Sequence, residues 1–179
     1  MARRDTSARR YAEAAFQTGR ADGTLDAWER DMGILGATLR HPELRALMQH
    51  PAVPYAEKAR ILRRVLGRGV APPAVNLVLL MVRRGRPGAI DRMIARFAEL
   101  LRRERGIALA QVRTALPLDD GQRAAIVARL RGLAGAQVEL DETVDEDLIG
   151  GVAVRIGDRL YDASVRSRLE RLRTRLTAV

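Results

Sequence analysis

The chain has 179 residues, of which 47% are hydrophobic and 30% are charged, and its formal net charge at pH 7 is +10. This length suits one ordinary domain or two small ones, and the composition is too hydrophobic for a disordered chain. Cysteine is absent, which excludes disulfides, thiolate metal sites and cysteine nucleophiles. The first residues lack the apolar core of a secretion signal, and the longest apolar run, 77–82, is too short to span a bilayer. We therefore expect a cytosolic or peripheral protein.

The positive charge comes almost entirely from arginine, since Lys58 is the only lysine, and the arginines are spread along the whole chain. Such a charge attracts nucleic acid, anionic lipid or an acidic protein partner. A solvated basic surface with no partner is an equally good interpretation. Charge alone does not choose among these classes.

The first 105 residues predict a succession of six short amphipathic helices separated by Gly and Pro. Gly19 and Gly23 are expected to close the first helix, and Asp26 and Glu29 are spaced as a capping pair in the second. The fifth apolar run fits a buried strand or a buried helix, and the prolines before it favour helix. The apolar stripes of the six segments fall within residues 8–16, 25–39, 44–48, 59–66, 75–82 and 90–101.

Beyond Gly106 the hydrophobic periodicity changes. A strand is predicted from Ile107 to Leu116, followed by a helix that Asp119 and Gln122 are spaced to cap. Apolar residues then alternate with polar ones in two further segments, 138–141 and 152–156, which is the period of half-buried strands. Gly157 and Asp158 are expected to turn the chain into Leu160.

The last segment returns to helical spacing and ends the predicted architecture. Its apolar stripe consists of Val165, Leu169, Leu172 and Leu176, and arginines surround that stripe. The predicted fold class is thus α plus α/β. A six-helix N-terminal bundle over residues 1–105 precedes a smaller C-terminal domain of a few strands and helices over residues 106–179.

Residues with catalytic or metal-binding chemistry are scarce. His41 and His50 both precede proline, where the end of a helix explains them. The glycines at 150, 151 and 157 do not form a phosphate-binding loop pattern and fit turns instead. We predict no catalytic, cofactor-binding or metal-binding residue.

Five acidic residues cluster between the second and third strands, and they suggest an alternative function. The cluster lacks the residue order of a calcium-binding loop, so a solvated turn is the simpler interpretation. A hydrolase that uses these acids remains a competing hypothesis. The cluster consists of Asp141, Glu142, Asp145, Glu146 and Asp147.

Surfaces for other macromolecules are the remaining possibility. Only 3% of the residues are aromatic, so the stacking platform of single-strand nucleic-acid binders is poorly supplied, although the basic charge keeps nucleic-acid binding as a second hypothesis. In the first helix, Ala8, Ala12 and Ala15 are small enough for another backbone to approach closely. That backbone belongs either to a partner helix or to the core of the same domain, and the sequence leaves both open.

Two segments resemble one known family. Residues 8–16 are similar to the opening helix of the ATP synthase delta subunit family, whose mitochondrial members are called oligomycin-sensitivity-conferring proteins. Residues 148–158 and 162–172 look like the C-terminal signature of that family, and the order of elements resembles it over the whole chain. The family usually has Gly where this chain has Ala163 and Ser167, and an Asn-Gly-Arg turn where this chain has Arg84-Gly85-Arg86.

The resemblance implies a structural function without turnover. It implies a non-catalytic stator adaptor, which links the catalytic head to the peripheral stalk and resists rotational torque during proton-driven ATP synthesis. It implies no cofactor, no nucleic acid and one copy per complex. The implied location is peripheral, on the cytoplasmic face of the bacterial cell membrane, with membrane contact only through the complex.

The resemblance also implies two partner-binding sites. The N-terminal helices are expected to hold an amphipathic N-terminal helix of an alpha subunit in a groove between the first and fifth helices. That groove is expected to be lined by Ala8, Tyr11, Ala12, Ala15, Asn76, Leu77, Leu80 and Met81. The C-terminal domain is expected to meet the ends of the stalk b subunits. The residues expected at that contact, or directly beneath it, are Val152, Val154, Val165, Leu169 and Leu172.

Overall fold

A computed structural model describes residues 2–177, with side chains for all of them except residues 2–5, 134 and 175–177. The described chain contains eight α-helices and one four-stranded sheet, so the expected mixture of α and β structure is confirmed. The chain divides into two compact units, Met1–Leu101 and Arg102–Val179. The division falls inside the sixth helix, whereas the sequence placed a boundary after residue 105. Among the described residues, no helix is both long and apolar enough to cross a membrane.

The first unit is helical. The fifth apolar run forms a helix, α5, as the prolines before it predicted. Two prolines lie in its first turn, where the backbone N–H groups have no partner within the helix, so their absence costs no hydrogen bond. A short 3-10 turn, Pro87–Ala89, precedes α6, which extends past the end of the unit. The helices are α1 (Ala2–Ala21), α2 (Leu25–Leu39), α3 (Pro42–Gln49), α4 (Tyr55–Leu66), α5 (Pro72–Arg83) and α6 (Ile90–Glu104).

Two details at the start of this unit differ from the predictions. Helix α1 does not close at Gly19, because that glycine lies inside the helix and faces Trp28. An added Cβ at Gly19 would lie 2.7 Å from Trp28 Cδ1, so glycine permits the close contact of α1 with α2. The predicted capping pair in α2 is also wrong. Thr24 is the N-cap residue, and Asp26 and Glu29 both lie within the helix.

Three aromatic rings from three different helices meet in the core of the helical unit. Phe97 on α6 lies 6.3 Å from the ring centroid of Phe16 on α1, in an edge-to-face arrangement. It lies equally 6.3 Å from the ring of Trp28 on α2. Phe97 is only 1% exposed, so this side chain joins α1, α2 and α6 through buried contacts.

The second unit is built on a mixed sheet with strand order β2-β1-β3-β4. Strands β1 and β2 are parallel, which requires the crossover helix α7 between them, whereas β3 pairs antiparallel with β1 and with β4. The core beneath the sheet contains Val112, Leu130 and Val154. The elements are β1 (Ile107–Thr114), α7 (Asp120–Ala134), β2 (Gln137–Val144), β3 (Val152–Ile156), β4 (Arg159–Asp162) and α8 (Val165–Thr177).

The turns of this unit follow the sequence signals in part. Gly157 and Asp158 connect β3 to β4, and Gly157 has φ 56, so the predicted turn is confirmed. The acidic segment is not one solvated turn, because β2 continues through Asp141 to Val144. A 3-10 turn, Glu146–Leu148, follows the strand.

The predicted cap of α7 is confirmed in full. The backbone N–H of Gln122 donates to Asp119 Oδ1 at 2.7 Å, and the N–H of Asp119 donates to Gln122 Oε1 at 3.2 Å. We expect Asp119→Ala to lower the free energy of unfolding of the second unit by about 1 kcal/mol, since an orphan helical N–H loses its partner. Urea denaturation followed by hydrogen exchange of the α7 amides measures this loss. Asp120→Ala, one residue inside the helix, is the control and should cost less than half as much.

Candidate partner-binding surfaces

The structure places four of the eight residues expected in the first groove inside the core. Ala8 and Ala15 are 3% exposed, and Ala12 and Met81 are 0% exposed. The small side chains of α1 thus admit neighbouring helices of the same unit, which is the second of the two interpretations that the sequence left open. These four residues do not line an open surface, because other buried side chains of the same core pack against them.

The other four residues of that set stay accessible to different degrees. Asn76 is exposed, Leu80 is 41% exposed, and Tyr11 and Leu77 are half-buried against the core. Helices α1 and α5 are in contact, so the four side chains belong to neighbouring helices. We refer to Tyr11, Asn76, Leu77 and Leu80 as the α1–α5 surface.

Basic residues extend the α1–α5 surface at the C-terminal end of α5. Leu80 lines a shallow concavity together with Arg83 and Arg84. The guanidinium of Arg83 also lies 5.9 Å from the ring centroid of Tyr55 on α4, a cation–π distance that restrains the arginine. An apolar side chain beside positive charge suits a partner that presents apolar and acidic groups together.

The C-terminal signature residues have a structural explanation, because they fix the start of α8 against the turn before β3. Val165 N–H donates to the carbonyl of Gly150 at 2.9 Å, and Ala163 N–H donates to the carbonyl of Val152 at 3.0 Å. Gly151 has φ +81, and a Cβ on it would lie 2.6 Å from the carbonyl oxygen of Ala163. Only glycine combines that backbone conformation with so close an approach.

The N-terminus of α8 is held by a polar cap. Ser164 N–H donates to Asp162 Oδ1 at 2.9 Å, and the Ser167 hydroxyl donates to Asp162 Oδ2 at 2.6 Å. Ser167 N–H in turn donates to the Ser164 hydroxyl at 3.2 Å, so Ser164 caps the helix. The hydrogen bonds from Ser167 and Ser164 lower the pKa of Asp162 to about 2. The elements predicted from the sequence do not include this cap, although an Asp-x-Ser pair directly before a helical stripe is a recognisable signal.

This cap makes the stability of α8 depend on pH. A carboxyl whose pKa falls from 3.8 to about 2 on folding stabilises the fold above its unfolded pKa, and that contribution is lost as pH falls through about 2. Asp162→Asn should therefore lower the urea midpoint of the second unit at pH 5, and the difference from the unmodified chain should shrink steadily toward pH 2. Asp158→Asn, in the β3–β4 turn, is the control. A difference that stays constant over this range would contradict the assigned role of Asp162.

The residues expected at the stalk contact fall into two groups. Val154 is 5% exposed and lies in the core of the second unit, and Val152 is half-buried against that core. Val165, Leu169 and Leu172 are 37%, 52% and 54% exposed, so the apolar stripe of α8 faces outward along its described length. Leu176, the last residue of the predicted stripe, has no described side chain. The half-buried Ser167 lies on the opposite face of the helix, where the polar cap holds it.

Arginines neutralise two members of the acidic cluster. Arg123 pairs with Glu142 at 2.5 Å, and Arg113 pairs with Asp145. The hydrogen bond from each arginine lowers the pKa of its carboxyl partner. Such carboxylates stay ionised at neutral pH and do not serve as proton donors there. Among the described residues, no group of three or more His, Cys, Asp or Glu is placed to hold a metal ion.

Both units have exposed apolar side chains, which is typical of a structural subunit that binds other chains. The chain matches the family model described as ATP synthase delta (OSCP) subunit over residues 8–176, so it belongs to that family. The family supplies structural, non-catalytic subunits of the ATP synthase, and the hydrolase hypothesis is thereby excluded. The prediction of a non-enzymatic subunit of this family is confirmed.

Relatives from several bacteria support this membership. The ATP synthase subunit delta of Salinibacter ruber is 37% identical over 173 residues, which cover 96% of this chain and 90% of the relative. The protein of the same name from Cupriavidus taiwanensis is 35% identical over 180 residues, with 99% of each chain covered. A chain in the cryo-EM structure of the Toxoplasma gondii mitochondrial ATP synthase hexamer matches with a TM-score of 0.74 and 27% identity. That match covers 96% of this chain and 98% of the other.

Proposed function

We propose that this chain is a stator adaptor, in which a six-helix N-terminal bundle (1–105) binds the N-terminal helix of an alpha subunit and the C-terminal domain (106–179) binds the ends of the stalk b subunits. The outward-facing apolar stripe of α8 is the observation that carries this proposal, since it is an unpartnered docking face in a family of ATP synthase subunits. The adaptor lies peripherally on the cytoplasmic face of the bacterial membrane and contacts the membrane only through the complex. One copy serves each complex.

The physical task of such an adaptor is to hold its partners against torque. Rotation within the synthase pulls on the head, so the contacts must dissociate slowly compared with turnover. Burial of apolar area supplies strength at roughly 25 cal/mol per Å², before the costs of association are subtracted. The arginines spread over the chain act more on specificity and on association rate than on affinity.

Because Ala12 lies in the core, a substitution there is not a suitable test of the α1–α5 surface. A bulky residue at Ala12 would overpack the core, because that side chain is 0% exposed. Leu80→Asp instead changes the accessible α1–α5 surface, and we expect it to weaken binding of an alpha-subunit N-terminal peptide at least tenfold, about 1.4 kcal/mol. Isothermal titration calorimetry measures the affinity.

A matched control for this variant lies on another helix. Ile34 on α2 is 40% exposed, almost as much as Leu80 at 41%. Ile34→Asp introduces the same charge at a site outside the proposed surface, so it should leave the peptide affinity unchanged. Equal losses for both variants, or none for either, would count against the α1–α5 surface.

Copurification tests the adaptor function as a whole. Alpha and b subunits should be recovered with a tagged copy of this chain from detergent-solubilised membranes. If the tagged chain is folded and soluble but neither subunit is recovered with it, the proposal is contradicted. The nucleic-acid hypothesis predicts filter retention of nucleic acid with a steep salt dependence, and the same preparation measures it.

A further inference from the structure

Ile149 has an unusual backbone conformation at an exposed position. It is the one non-glycine residue with positive φ among the described residues, with φ 65 and ψ -36, close to the rare classic γ-turn. A β-branched side chain is strained there, and Ile149 is 69% exposed, so packing within the unit does not offset the strain. The turn is held on either side, because Ile149 N–H donates to the carbonyl of Glu146 and Leu148 is buried.

A concave apolar surface begins at this residue. Ile149 and Leu116 line a groove of about 590 Å³ in the second unit, together with Ile126 of α7 and the turn Gly150–Gly151. Leu116 is 76% exposed, so two large apolar side chains stand at the groove without full burial. We refer to this feature as the Ile149 groove.

The Ile149 groove is continuous with the stripe of α8. Gly150 lines the groove, and a Cβ built on it would lie 3.2 Å from Val165 Cγ2, so Val165 is directly adjacent. Leu169 and Leu172 follow Val165 on the same helical face. From the groove to Leu172 the protein therefore presents one apolar surface rather than two separate patches.

The charges beside the stripe identify the chemistry of its partner. Helical geometry places Arg166 and Arg173 on one side of the stripe, and Arg168 and Arg171 on the other. All four are exposed, and the one described acidic residue of α8, Glu170, pairs with Arg166 at 3.1 Å. Asp145 and Asp147 also lie near Arg166, so the positive charge beside the stripe comes mainly from Arg168 and Arg171 on one side and from Arg173 on the other. Such a stripe matches a helix whose own apolar stripe has acidic residues beside it.

We propose that the Ile149 groove and the α8 stripe form one docking surface for an amphipathic helix with acidic flanks, and that an apolar side chain of this helix enters the groove between Leu116 and Ile149. The proposal rests on the proposed function, in which this unit binds a stalk helix. It adds the chemistry of that helix and assigns Ile149 as an anchor. The hydrogen bond to Glu146 and the buried Leu148 hold Ile149 in this strained conformation, which keeps its side chain at the groove for a partner.

If Ile149 is an anchor, replacing it should weaken partner binding without lowering the stability of the unit. Ile149→Gly removes the strain together with the side chain. The variant should unfold at the same urea concentration as the unmodified chain or a higher one, yet bind its partner about tenfold more weakly. Leu160→Gly on β4 is the matched control, since Leu160 is 65% exposed and lies outside the proposed surface. Leu169→Asp, with Leu133→Asp on α7 as its control, tests the stripe in the same way.

Two kinds of binding partner allow the docking surface and the stator function to be tested separately. The first is the soluble segment of the b subunit from the same source. The second is a pair of designed helical peptides of about four heptads with Leu at a and d, one with Glu and one with Lys at e and g. Fluorescence anisotropy measures each affinity for the full chain. We expect binding of the b segment and the Glu peptide, at most weak binding of the Lys peptide, and the losses described for Ile149→Gly and Leu169→Asp.

Each other result overturns a specific statement. Full affinity of both variants for the b segment overturns the docking surface and leaves the stator adaptor standing. Equal affinity for the Glu and Lys peptides overturns the acidic-flank requirement. Failure of the b segment to bind the unmodified chain, while the Glu peptide binds with the expected losses, overturns the stalk assignment but supports the surface. Failure of both probes overturns the two proposals together.

Discussion

Phe97→Ala should lower the free energy of unfolding of the helical unit by about 3–5 kcal/mol, because it removes a side chain that is 1% exposed and joins three helices. Total stabilities of single domains are only about 5–15 kcal/mol, so this loss is a large share of the total. Trp28 is the only tryptophan in the chain and lies against the Phe97 ring. Its fluorescence during urea denaturation therefore reports this unit directly.

The variant Leu100→Ala gives the comparison for Phe97→Ala. Leu100 lies on the same helix but is only half-buried, so its replacement should cost clearly less. The second unit has its own core and should unfold at an unchanged urea concentration, as judged by hydrogen exchange of β1 amides. A loss below about 1 kcal/mol for Phe97→Ala would show that the aromatic contacts are not central to the unit.

Gly151→Ala should displace the start of α8 and weaken the second unit by about 1–3 kcal/mol. The new Cβ would lie 2.6 Å from the carbonyl oxygen of Ala163, at a backbone φ of +81 that alanine rarely adopts. Since Val165 N–H bonds the neighbouring Gly150 carbonyl, exchange of the Val165 amide should accelerate. Affinity for the b segment should fall more than tenfold, because the stripe of α8 loses its position.

Gly157→Ala separates the two causes of this effect. Gly157 also has positive φ, +56, but an added Cβ would have nothing within 4 Å. It should therefore show backbone strain alone, about 1 kcal/mol, without loss of affinity. Equal behaviour of the two variants would mean that contact with Ala163 does not position α8.

Most of the secondary structure could be predicted because capping and turn patterns depend only on residues close together in the sequence. The Asp119–Gln122 cap and the Gly157–Asp158 turn have the expected geometry, since each depends on residues at most three positions apart. The Gly19 prediction failed because the glycine serves a contact with Trp28 on another helix. Such a contact is not visible in local spacing.

The candidate sites depended on burial, which the sequence determines only through the whole fold. The alanines of α1 fitted a groove and a core equally well, and only the positions of the neighbouring helices place them in the core. The α8 stripe was predicted from its period, but no local pattern states that it faces outward. Ile149 had no signal, because a β-branched residue argues against the positive φ that it adopts.

The position of β2 at one edge of the sheet has a consequence for the unassembled protein. An edge strand of eight residues offers free backbone groups that can pair with another copy. Asp141 is exposed on that strand, so two such edges paired side by side would bring like charges together. The strand thereby discourages edge-to-edge aggregation while newly made copies wait for incorporation into a larger assembly.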